Sequence, residues 1–240
     1  MNDINYTDIT CSFDETRHLR DGKPIYKRNF IKVMNYHHPG VAAVLDRSGA
    51  YHIDIRGKPI YRDRFLKAFG YYEGAAAVSD RSGWFHIDLR AVPIYSERYQ
   101  WVGNYQEGSC PASNKVGRFF HIDKTGKPEY KKTFAYVGDF KNGAAVAYLD
   151  NNIACHIDKK GQFLYQRTYV ELGLFHKGLA VARDNRGYCH IDKSGVPIYN
   201  NRFSWCEPFY NDFAFAKNTK GNLGRIGLDG SFQPLYIEKG

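Results

Sequence analysis

The sequence has no apolar run of the ~18 residues that a membrane-spanning helix needs, so membrane insertion is not expected. It has no CxxC pair, and its five cysteines are an odd count without metal-ligand spacing, so neither a redox motif nor a zinc site is read from them. No Gly-rich phosphate loop, nucleophile elbow or paired-carboxylate constellation stands out, and the few serines lie in turns. Residues 1–10 are polar and lack the apolar h-region of a secretory signal, so none is expected. These absences point to a cytoplasmic, non-catalytic protein in a reducing compartment, with signal-less export left open. A broad single-sign charge field is also missing. The net charge is +9, but Lys and Arg are dispersed among Asp and Glu. That permits weak attraction to anionic partners and does not make a nucleic-acid stripe.

What the sequence has is a period. His-Ile-Asp stands at His52, His86, His121, His156 and His190, at spacings of 34 or 35 residues. A tyrosine follows each Asp by seven residues: Tyr61, Tyr95, Tyr130, Tyr165 and Tyr199. Worn copies flank these five. Tyr26 closes the first, with Arg17-His18-Leu19 in the motif position, and Tyr236 closes the last, with Gly227-Leu228-Asp229. Seven phased units of ~35 residues, degenerate at both ends, describe a repeat architecture. They run end to end and so read as a single domain over residues 1–240.

The unit from Gly74 to Gly108 shows the expected parts. Gly74 to Val78 reads as a strand of small residues, Asp80-Arg81-Ser82-Gly83 as a turn, and Trp84 to Asp88 as a second strand. Pro93-Ile94-Tyr95 reads as a short third strand at an edge, because Pro lacks an N–H donor. The connector from Tyr99 to Gly108 has apolar residues at i, i+3 and i+6, which predicts a helical turn or a coil across the sheet rather than a strand. The fold class is therefore all-β. Small-residue strands favour a seven-bladed β-propeller, with a β-solenoid as the alternative. In a propeller Cys155 and Cys189, at one phase of consecutive units, are two free buried thiols, and the Tyr26 and Tyr236 units become neighbours. In a solenoid the two sulfurs come close enough to join.

Gly83-Trp84-Phe85-His86-Ile87-Asp88, the following Pro-Ile-Tyr, then Gly103, Gly108 and an Ala-Val strand resemble the bacterial WG repeat. The turns Lys124-Thr125-Gly126-Lys127 and Lys193-Ser194-Gly195 resemble its Lys-x-Gly-Lys turn. There are departures: among the motif strands Trp84 alone keeps the Trp, Phe85 follows it where the family has Gly, and His replaces the aromatic before Ile. The resemblance implies a non-catalytic β repeat used for interaction, and it brings no catalytic residues.

Paired His and Asp on one strand invite a metal reading. Two ligands per unit fall short of the three or four a metal needs, and the pairs recur identically, as a building rule does. His52/Asp54, His86/Asp88, His121/Asp123, His156/Asp158 and His190/Asp192 are accordingly read as structural. Each Asp is expected to accept backbone N–H bonds in its turn, and each His to donate to that Asp or to a nearby carbonyl. No metal or cofactor is expected. The irregular pair His37-His38, the phased Arg64, Arg98 and Arg202, and the connector Trp101 and Trp205 are the candidate binding residues. The first function expected is a monomeric scaffold binding another protein. The alternative is a lectin-like propeller binding glycans, which needs the repeat-phase aromatics exposed.

Overall fold

The computed structural model describes residues 5–235. β-Branched and aromatic residues interrupted by Asp- and Gly-containing turns make short strands. Seven small antiparallel sheets result among the described residues, beside one 3-10 turn at Tyr6–Asp8. The first sheet holds β1 (Thr10–Cys11), β2 (His18–Arg20) and β3 (Lys23–Pro24). The second holds β4 (Lys32–His37), β5 (Val41–Asp46) and β6 (Gly49–Ile53), and the third β7 (Lys67–Tyr72), β8 (Ala75–Asp80) and β9 (Gly83–Ile87). The fourth holds β10 (Trp101–Val102), β11 (Cys110–Ser113) and β12 (Phe119–Ile122), and the fifth β13 (Tyr136–Val137), β14 (Ala145–Tyr148) and β15 (Ala154–Ile157). The sixth holds β16 (Glu171–Leu172), β17 (Ala180–Asp184) and β18 (Gly187–Ile191). The last has four strands: β19 (Trp205–Cys206), β20 (Phe213–Lys217), β21 (Leu223–Gly227) and β22 (Phe232–Pro234).

Two parts of the expected unit are corrected. The third strand shrinks to one bridge in the inner repeats, such as Ile53 with Pro59, Ile87 with Pro93 and Ile157 with Phe163, because the chain then turns its tyrosine hydroxyl onto the motif histidine. The connector is a strand. Its first aromatic, Phe65, bridges back to Ala50 of its own repeat, and Ala68 then pairs with Val78 of the next sheet. A β-bulge follows: four residues from Ala68 to Tyr71 oppose three from Val78 to Ala76. The extra residue turns a period of two into a step of three, and the same shift separates Val33 from Tyr36. The hand-over between sheets and the bulge together produce the i, i+3, i+6 spacing.

The terminal registers also differ from the expected ones. His18, with Leu19 and Arg20 after it, holds the motif position in the first repeat, since His18 bonds Tyr26 as His86 bonds Tyr95. The turn there is the two-residue Asp21-Gly22, both at positive φ, so counting back from the tyrosine slips by one. In the last repeat Arg225-Ile226-Gly227 takes the motif position. Gly230 donates to the Gly227 carbonyl as Gly57 does to Asp54. Tyr236, and with it the expected pairing of the Tyr26 and Tyr236 units, lies outside the described residues.

The chain forms two compact units, Met1–Gly117 with His121–Pro128, and Arg118–Phe120 with Glu129–Gly240. In the first, Tyr51, His52 and Ile53 are all fully buried, although adjacent strand residues face opposite sides of a sheet. Both faces of the strand are therefore covered, as are those of Ala75 to Val78, where small side chains suit a strand packed on two sides. In the second unit Cys155, His156 and Ile157 repeat the arrangement, and Cys155 and Cys189 are free and buried. Each motif isoleucine from Ile53 to Ile191 is fully buried, worth roughly 1.5–3 kcal/mol apiece.

Successive repeats lock through a tyrosine and a glycine. The turn glycines Gly57, Gly126, Gly161, Gly195 and Gly230 lie at positive φ, and each faces the ring of the preceding repeat's tyrosine: Tyr26, Tyr95, Tyr130, Tyr165 and Tyr199. A Cβ at Gly161 would stand 2.6 Å from the Tyr130 ring. Gly178, also at positive φ, has no atom within 4 Å of a Cβ. Gly178→Ala should therefore cost the backbone penalty of about 1–2 kcal/mol. Gly161→Ala should add about 1–3 kcal/mol for the overlap. Urea unfolding midpoints of the two variants check the difference. Ala91 stands in the same turn position at φ 64, so Ala91→Gly should raise stability by about 1 kcal/mol.

Candidate functional site

The motif histidines are fully buried: His18, His52, His86, His121, His156 and His190. In His18, His52, His86, His156 and His190 one ring nitrogen faces the tyrosine of the same repeat and the other faces a carbonyl of the next connector. For His86 these are the Tyr95 hydroxyl at 2.6 Å from Nδ1 and the Gly103 carbonyl at 3.0 Å from Nε2. For His190 they are Tyr199 at 2.5 Å and the Glu207 carbonyl at 2.8 Å. His18, His52 and His156 repeat the pattern with Met34, Phe69 and Gly173. A carbonyl only accepts, so Nε2 carries the proton, and Nδ1 accepts from the tyrosine hydroxyl. The partner of Nε2 is thus a carbonyl and not the motif Asp. An aromatic ring of the next connector completes the nest: Tyr71 at 4.6 Å from His52, Phe209 at 4.4 Å from His190.

The motif Asp residues cap their turns as expected. Asp88 Oδ1 accepts from the N–H groups of Arg90 and Val92 at 2.8 and 2.9 Å. Asp54, Asp123, Asp158 and Asp192 do the same two and four residues on. Burial pushes the Asp88 and Asp123 carboxyls up, but the turn hydrogen bonds outweigh it and hold both below the ordinary carboxylate range.

Burial dominates His18, His52, His86, His156 and His190 and lowers each, to about 4 for His52, His86 and His190, against an ordinary 6.5. Below pH 6.5 the unfolded chain takes up protons that the folded chain refuses. Stability is full above that pH and is lost as pH falls toward about 4. At pH 5 each of the three should cost roughly 2 kcal/mol. Urea titrations at pH 7.5 and 5 should show the midpoint falling steeply. Tyr95→Phe, which leaves Nδ1 of His86 unpaired, should cost about 1–3 kcal/mol at neutral pH.

The phased arginines are built into the repeat. The Arg64 guanidinium lies 3.7 Å from the Tyr51 ring centre, and that of Arg98 3.7 Å from Phe85. Their Nε atoms donate to Ser48 and Ser82, and their Nη1 atoms to carbonyls of the preceding loop. Arg202 makes the same loop bonds but pairs with Asp184 through Nε and Nη2, both at 2.8 Å. The His37 ring packs tilted against Tyr72 with ring centres 4.6 Å apart, and Gly70 leaves it room by having no Cβ. His38 is exposed, Trp101 is half-buried and Trp205 is exposed. In the first unit Arg64 and Arg98 line two clefts that share Arg81, and neither cleft includes His37 or His38. The sequence reading passed over Arg81, Ser82 and Lys115, although Asp-x-Ser-Gly recurs in two turns. Among the described residues no three His, Cys, Asp or Glu side chains converge as metal ligands, and no helix is long and apolar enough to cross a membrane.

Each sheet is built from strands consecutive in sequence, and among the described residues no equivalent strands of consecutive repeats pair as a solenoid needs. Residues 157–188 match the family described as the WG containing repeat. That segment runs from the Ile of one motif strand toward the next. No curated protein matches the chain. Solved structures do. The computationally designed Ika8 protein aligns over 93% of this chain and 81% of its own, at 11% identity and a TM-score of 0.56. BamB from Moraxella catarrhalis aligns over 91% of this chain and 79% of its own, at 14% identity and a TM-score of 0.53. The WD40 β-propeller domain of Doa1 covers 90% of this chain and 87% of its own, at 13% identity and a TM-score of 0.44. The fold is that of the β-propellers.

Proposed function

We propose that the chain is a non-catalytic repeat scaffold that binds another protein. The polar motif is engaged inside the fold, with His on tyrosine and carbonyl and Asp on its turn, and this leaves those groups no chemistry to perform. The observation that carries the binding reading is the last sheet. Where inner middle strands are buried on both faces, Phe213 to Lys217 alternate exposed and buried. Arg225, in the position of the buried histidines, is exposed and lies 4.4 Å from the Phe213 ring. Trp205 is 40% exposed and Tyr210 59%. Exposed aromatics beside an arginine are what protein interfaces enrich.

A sugar-binding reading asks for exposed repeat-phase rings. Tyr51, Tyr71, Tyr95, Tyr105 and Tyr199 are buried, which leaves them no face on which a sugar could stack. The folded chain used as bait in a lysate should retain one protein species, lost with Trp205→Ala/Tyr210→Ala. Retention of glycan or RNA with no protein would overturn the reading.

A further inference from the structure

The two arginine-lined clefts of the first unit are alike in position and unlike in charge. The first has a volume of 400 Å³ and holds Arg47, Arg64 and Arg81 against Asp46 and Asp80. The second, one repeat on, has 320 Å³ and holds Arg81, Arg98 and Lys115 against Asp80 alone. Half-buried Trp84 and Tyr99 also line the second cleft.

Ser82 keeps Arg98 from closing on Asp80, as Ser48 keeps Arg64 from Asp46 in the first cleft. The Ser82 hydroxyl donates to Asp80 Oδ1 at 2.5 Å and accepts from Arg98 Nε at 3.2 Å. It stands between the carboxylate and the guanidinium, and Arg98 makes no ion pair among the described residues. The guanidinium is nevertheless fixed by the Phe85 ring and by three loop carbonyls, all reached through Nη1, so Nη2 keeps its donors. The equivalent turn of the sixth sheet has Arg186 in place of that serine, and Arg202 there closes directly on Asp184. Arg81 and Lys115 are exposed and form no ion pair among the described residues. Three cations against one carboxylate leave about two positive charges, and the guanidinium is already oriented.

We propose that this cleft binds a phosphate monoester, whose charge of about −2 at neutral pH matches that excess. Arg98 Nη2 donates to the phosphate oxygens, Arg81 and Lys115 neutralise it, and Trp84 and Tyr99 contact the organic part of the ester. The ester is a phosphorylated residue of a partner protein or a free small molecule.

Isothermal titration with phenyl phosphate and with phenyl sulfate, its singly charged analogue of the same shape, tests the charge match. A phosphotyrosine peptide and its unphosphorylated form separate the two sources. Phenyl phosphate should bind at least about tenfold more tightly than phenyl sulfate, and Arg81→Gln/Lys115→Gln should weaken it about tenfold. The urea midpoint of that variant should not move, since neither side chain makes a structural bond. Tighter binding of the phosphopeptide than of phenyl phosphate assigns the ester to a protein, and the reverse assigns it to a small molecule. Absence of phenyl phosphate binding, equal affinity for the sulfate, or full affinity in the double variant would overturn the proposal.

Discussion

A neutral imidazole buried between a hydroxyl and a carbonyl is the contact on which the other parts of this fold depend. It joins three pieces of chain that have no continuous ladder between them: the motif strand, the short Pro-Ile-Tyr edge and the connector of the next sheet. Neutral histidine suits the task because one ring nitrogen donates while the other accepts. A protonated ring would present two donors and lose the lone pair that receives the tyrosine proton. The site must therefore be dry and the ring uncharged, and covered faces on both sides of the strand supply that environment.

The remaining links follow from where the histidine holds its partners. The tyrosine, fixed through its hydroxyl, lays its ring against the next repeat, where a glycine stands at every such turn but that of Ala91. The connector carbonyl that receives Nε2–H belongs to a chain segment already handed over to the following sheet. Each repeat is thus incomplete without its successor, a nearest-neighbour pattern characteristic of repeat proteins. Three-stranded sheets of this size are marginal alone, and stability comes from these joints as much as from the ladders.

The sequence made some of this legible. His-Ile-Asp at a fixed period revealed the number of units, and Asp two residues before a turn revealed its cap. The connector was misread because periodicity records which face a side chain takes. A bulge such as that between Ala68 and Tyr71 resets the face without ending the strand. The slips at His18 and Arg225 arose from turns one residue shorter or otherwise altered, which no period can report. The tautomer of His86 and the separation of Arg98 from Asp80 by Ser82 are tertiary facts, set by atoms at least 16 residues apart. The exposure of the last sheet depends on what covers it, which local pattern does not encode.

The tyrosine-and-glycine lock has a consequence for how such chains change length. Each joint is written by residues of the two repeats that meet there and by nothing more distant. A gene duplication that adds one whole unit brings along both a ring to offer and a hollow to fill, and so restores every joint it interrupts. A gain or loss of a few residues inside a unit breaks two joints at once. Selection acting on this family of joints would preserve the unit length and leave the number of units free to vary.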